Sequence, residues 1–137
     1  MVGGIGQAIG TALSGLTAQS KKLGVAASNI ANAHTTGHLD KDELPHPYIA
    51  LETVIVGSGD GSVRTSVVAR DPGTVEAYDP DSPYADEDGM VGAPSVNIDE
   101  EMITTLQAAQ AYKANAALIR TAKEMQEELR EAINVKA

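Results

Sequence analysis

Ile9, Leu16, Leu23 and Ile30 recur every seven residues, and Ile5, Ala12, Ala26 and Ala33 fill the companion positions, with Gln19 their one long polar member. Apolar residues at that spacing make a helix that must bury a seam against another helix. At the other end of the chain, Met102, Leu106, Ala109, Tyr112, Ala116, Ile119, Ala122, Met125, Leu129 and Ile133 follow one another in steps of three and four. This is a second amphipathic stripe. The expected fold is mainly α, with long N- and C-terminal helices packing as a coiled-coil-like pair and a small β-hairpin and extended insert between them.

The first helix is expected from about Gly4–Gln7 to about Ala33, where His34-Thr35-Thr36-Gly37 supplies polar residues and a glycine suited to a left-handed cap. Gly10, Gly15 and Gly24 interrupt it, each costing about 1 kcal/mol relative to Ala, so this helix needs a partner. The second has a sharper start. Asn97 can cap it, Glu100 can reach back, and Asp99, Glu100 and Glu101 complement the helix dipole.

All six prolines lie between residues 38 and 96. Tyr48 to Val56 and Val63 to Ala69 are β-branched and apolar around Gly57-Ser58-Gly59-Asp60-Gly61, which reads as a β-hairpin. Asp71 to Pro94, with Pro72, Pro80, Pro83 and Pro94, reads as an acidic extended connection without a regular element. The segments are thus 1–37, an N-terminal axial helix; 38–96, a β-rich and extended acidic insert; and 97–137, a C-terminal axial helix.

Four tyrosines are the only aromatic residues in 137, and the apolar set is mostly Ala, Val, Ile and Leu. Those residues fill narrow seams between helices better than a deep pocket. A formal charge of -9 argues against a nucleic-acid partner. Residues 71–101 carry acids and no Lys or Arg, whereas residues 1–38 carry Lys21 and Lys22 and no acid, an asymmetry that could align neighbouring copies or keep them soluble. Cysteine is absent, so no disulfide or thiolate metal site can form. Residues 1–10 lack a basic and apolar leader pattern, and no stretch approaches the roughly 18 apolar residues of a spanning helix; no membrane insertion is expected.

Candidate chemistry is thin. His34, His38 and His46 with Asp40, Asp42 and Glu43 could be drawn as a metal site, but their spacing matches no ligand motif. Asp79, Asp81, Asp86, Glu87, Asp88 and Gly89 suggest a calcium loop, yet Pro80 and Pro83 break the alternation an EF-hand needs. Neither Gly4-Ile5-Gly6 nor the glycines at 57–61 belong to a strand–loop–helix phosphate unit. There is no Cys, no nucleophile elbow, and no His with a base and orienting acid in its sequence context. The expectation is a chain with no enzymatic activity, cofactor or metal.

Ser14-Gly15-Leu16-x-Ala18-Gln19, then Leu23-x-Val25-x-Ala27-Ser28-Asn29-Ile30-Ala31-Asn32-Ala33 and Thr35-Thr36-Gly37, resemble the N-terminal signature of the axial proteins of the bacterial flagellum, the rod and hook subunits. Glu101-Met102, Ala111-Tyr112-x-Ala114-Asn115 and Thr121-Ala122-Lys123-Glu124-Met125 resemble their C-terminal signature. Within that family, the chain length and Tyr78-Asp79-Pro80 through Pro94 are most similar to the short proximal-rod class. Ser95, Gln110 and Met90 depart from the family pattern, where Asn, Arg and an aromatic residue are usual.

The resemblance implies a structural subunit of the proximal rod crossing the periplasm, exported without a cleaved signal by the flagellar type III apparatus. Its terminal helices would polymerise into a hollow, torque-bearing shaft around the export channel. Its partners would be copies of itself and other proximal and distal rod subunits. The alternatives are another rod or hook paralogue, or a soluble acidic cation-binding module. The expected assembly interface is Leu16, Gln19, Leu23, Asn29, Ile30, Asn32, Met102, Leu106, Tyr112, Asn115, Ile119 and Met125, with Asn29 and Asn32 bonding across subunits to fix register.

Overall fold

The computed structural model describes residues 2–134. Helix α1 spans Val2–Ala31, so it starts earlier than the glycines suggest and stops two residues sooner than Ala33. Asn32 ends it: its side-chain amide donates to Ser28 O at 2.9 Å and its carbonyl oxygen accepts from Thr35 Oγ1 at 3.3 Å. Helix α2 spans Ile98–Asn134. Asn97 caps it, its Oδ1 accepting from the Asp99 and Glu100 amides at 3.0 and 3.3 Å.

The helices of 30 and 37 residues are about 45 and 55 Å long at about 1.5 Å per residue. They lie antiparallel, since Asn29 meets Glu101 at one end and Gly15 meets Asn115 further along. Small residues let them approach. Ala12, Ala18, Ala26 and Ala108 are buried, and a Cβ on Gly15 would stand 2.8 Å from Asn115 Nδ2.

Strands β1 (Leu51–Gly57) and β2 (Val63–Ala69) form the expected hairpin, antiparallel with Leu51 opposite Ala69 and Gly57 opposite Val63. It rests on α1. The acidic stretch, expected to hold no regular element, instead forms a second antiparallel hairpin, β3 (Thr74–Tyr78) with β4 (Met90–Pro94). Its prolines are compatible because Pro72, Pro80 and Pro83 lie outside the strands and Pro94 closes the ladder.

The turn residues make this second hairpin. Asp86 Oδ1 accepts from the amides of Asp88 and Met90 at 2.9 and 2.8 Å, and Gly89 takes a φ of +77°, a conformation in which glycine carries no Cβ penalty. Asp88-Gly89 is the turn signal that the acidic composition obscured. Strand β4 is deeply placed, with Val91 fully buried and Gly92 bonded through both backbone groups to Gly37. A Cβ on Gly92 would come within 2.8 Å of Pro47 Cγ, which explains the glycine.

Candidate assembly interface

One side of α1 is tied to the insert by polar groups spaced seven residues apart. Gln7 Nε2 donates to Asp60 O at 3.2 Å, the Val63 amide donates to Ser14 Oγ at 3.1 Å, Lys21 Nζ donates to Thr65 O at 2.9 Å, and the Ser28 and Tyr48 hydroxyls lie 3.1 Å apart. Ile9, Leu16, Leu23 and Ile30 each come two residues after one of these anchors, which at 100° per residue is nearly the opposite side of the helix. The apolar heptad therefore faces away from the hairpin.

The same reasoning places α2. Thr104 lines a crevice with Leu51, Glu52, Thr53 and Arg70, on the hairpin side. Met102 and Leu106 are two residues either side of it and so lie on the far side, 55% and 65% exposed. Leu16, Leu23 and Ile30 are half-buried. Both sets thus lie on the sides of their helices turned away from the hairpin, half-covered on α1 and exposed on α2. These residues do not bury one another in the chain's own seam, which the small residues occupy.

The other expected interface residues divide. Gln19, Asn115 and Ile119 are half-buried along the helix contact, Tyr112 and Met125 are 42% and 53% exposed, and Asn32 is engaged at the end of α1. Asn29 is corrected by the structure. Its side chain is wholly buried inside the subunit: Oδ1 accepts from the Leu51 amide at 2.9 Å and Tyr48 OH at 3.1 Å, while Nδ2 donates to Leu51 O at 2.8 Å and Glu101 Oε1 at 2.9 Å. All four hydrogen-bonding positions of the amide are used, leaving none for a neighbouring copy.

Arg70, which belongs to no motif in the sequence, completes this node. Its Nη2 donates to Glu101 Oε1 at 2.7 Å and its Nη1 to Ser95 O at 2.8 Å. The node joins α1, the start of β1, the end of β2 and the first turn of α2. A buried carboxylate is tolerated because the guanidinium and amide both satisfy it. The available signal was a lone basic residue standing at the head of a long acidic stretch.

Elsewhere, His38 Nδ1 lies 3.1 Å from Glu43 Oε2 and its ring meets Tyr84 edge-on at 5.3 Å. Among the described residues no group of three or more metal-ligating side chains is assembled, and no helix is long and apolar enough to cross a membrane. Asp60 is an exposed acid whose pKa is lowered by hydrogen bonds from the Ser62 hydroxyl and then the Ser62 amide. It fixes the hairpin tip.

Residues 9–38 match the family model "Flagella basal body rod protein", and residues 87–131 match "Flagellar basal body rod FlgEFG protein C-terminal". The flagellar basal-body rod protein FlgC of Buchnera aphidicola is 38% identical over 82% of this chain and 85% of its own length. The chain belongs to the FlgC family of flagellar basal-body rod proteins. The Salmonella typhimurium FlgC is 37% identical over the same shares, and that of Agrobacterium fabrum 37% identical over 82% of this chain and 83% of its own. As a FlgC-family protein the chain is a structural rod subunit and not an enzyme. The two family models match the two regions that supply α1 and α2.

Proposed function

We propose that this chain is a proximal-rod subunit whose open helix face, Leu16, Leu23 and Ile30 beside Met102 and Leu106, packs against neighbouring subunits in a coiled-coil-type seam. That face carries the reading. Large apolar side chains left half-covered on α1 and exposed on α2, while small ones fill the subunit's own contact, match a chain that completes its core by polymerising. Gln19, Tyr112, Asn115, Ile119 and Met125 flank it, and Asn29 supports it from within the subunit.

In this reading segments 1–37 and 97–137 form the helical wall of a hollow shaft around the export channel, and segment 38–96 is the outward β-rich part. The shaft crosses the periplasm and transmits torque. Its subunits contact copies of themselves and other rod proteins, after delivery by the flagellar export apparatus.

The test is deletion of the coding segment followed by complementation. The intact chain should restore rods and swimming, and Leu23→Asp should restore neither, because a carboxylate buried between subunits without a partner is strongly disfavoured. Wild-type motility with Leu23→Asp would refute the helix-face assignment. Motile flagella in the deletion strain would refute the rod assignment.

A further inference from the structure

Strands β1 and β3 each leave an edge unpaired among the described residues. Arg70 N donates to Ala50 O and Ser58 N donates to Ser62 O, so alternation along the β1–β2 ladder turns the backbone groups of Leu51, Thr53 and Ile55 outward. Asn29 occupies those of Leu51. Those of Thr53 and Ile55 have no partner among the described residues. The outer edge of β2, by contrast, is engaged in its first half, where the Val63 amide donates to Ser14 Oγ and Thr65 O accepts from Lys21 Nζ.

The second hairpin repeats the pattern. Ser95 N donates to Gly73 O and Asp79 N to Gly89 O, which turns Thr74, Glu76 and Tyr78 outward from β3. The outer edge of β4 is covered by Gly37, while that of β3 is open. Neither open edge carries the lysine, proline or bulge that usually blocks strand pairing. Apolar side chains flank both, with Ile55 and Val56 exposed on β1 and Val75 and Tyr78 on β3.

We propose that the open edge of β1 pairs with the open edge of β3 in a second copy of this chain, continuing a sheet from subunit to subunit. The proposal rests on the polymer reading above. Charge selects this pairing over like with like. Lys21, Lys22 and Arg64 lie at or beneath the first hairpin, whereas Asp71, Glu76, Asp79 and Asp81 surround β3, outnumbering Lys41, which lines a crevice with Thr74 and Glu76. Symmetry selects it too, because joining two different edges propagates whereas joining identical ones closes into a dimer. Room exists at β1, where a crevice lies between Thr53 and Thr104 of α2.

The chain has no cysteine, so cross-linking has no background from its own thiols. Thr53→Cys or Ile55→Cys would be combined in one chain with Thr74→Cys, Glu76→Cys or Tyr78→Cys, and the basal bodies isolated and oxidised. Facing residues of paired strands lie about 4.5–5.5 Å apart at Cα, within disulfide range. At least one combination should give covalent multimers that neither single variant gives. Normal rods with no multimer in any combination would overturn the proposal.

Ile55→Pro and Glu76→Pro remove only outward amides and suit an edge position. Both should keep the monomer's circular dichroism and cut rod formation at least tenfold. If Leu23→Asp abolishes rods while both prolines assemble at wild-type levels, edge pairing fails and the helix-face reading stands. If Leu23→Asp also assembles normally, the underlying reading fails.

Discussion

The two sides of helix α1 obey opposite rules although both repeat every seven residues. Toward the hairpin it presents Gln7, Ser14, Lys21 and Ser28, each matched to a group of the insert, with Asn29 buried beside them. Away from it stand Ile9, Leu16, Leu23 and Ile30, left half-covered. Hydrogen bonds are directional and fix where the insert sits, whereas apolar surface is non-directional and can be held for a partner. A polymerising subunit benefits from that division, since its own fold is specified without using up the surface that joins it to the next.

The largest effect is expected where the open side is charged. Leu106→Asp should abolish incorporation into rods, read by basal-body imaging, while moving the monomer's melting temperature by less than about 2 °C, because exposed substitutions usually cost under about 0.5 kcal/mol. A large loss of monomer stability would show that this side is already closed within one chain.

Next comes the closed side. Arg70→Ala leaves the Glu101 carboxylate, 6% exposed, with the Asn29 amide alone. Breaking a buried pair costs about 3–5 kcal/mol; Arg70 is 28% exposed, so solvent reduces the expected loss to about 2–3 kcal/mol in urea unfolding. A change under about 0.5 kcal/mol would mean that the node does not hold the elements together.

Ser14→Ala sharpens the comparison further along α1 by stranding the part-buried Val63 amide, for an expected loss of about 1 kcal/mol and faster amide exchange at Val63. Unchanged exchange would show that the hairpin is held by other contacts. The smallest effect belongs to the tip. Asp60 has a folded pKa below its ordinary value of 3.8, so its contribution is complete above that value and is lost as pH falls through the lower folded value. Asp60→Asn should remove this acid-dependent loosening of residues 58–62, measured by amide exchange against pH.

Much of the fold was legible because it rests on local rules. The heptads, the Asn97 cap, and the run from Tyr48 to Ala69 with its glycine-rich turn each announce an element without reference to the rest of the chain. The second hairpin was hidden because four prolines and a dense set of acids suggest an open linker, and only the turn built by Asp86 and Gly89 reveals that the strands meet. Of the proposed assembly residues, the spacing picks out the apolar ones. It could not show on which side of each helix the insert would lie.

Periodicity, capping and charge distribution, all properties of neighbouring residues, determined that this chain has two long amphipathic helices around a β-containing middle. They also supplied the motifs that place it among rod proteins. Tertiary structure alone decided that Asn29 turns inward, that Arg70 and Glu101 meet across 31 residues of sequence, and that the apolar heptad is left half-covered. Those outcomes depend on which face of each helix is first occupied by something else. Here the insert, anchored by hydrogen bonds along one side of α1, leaves the apolar side free.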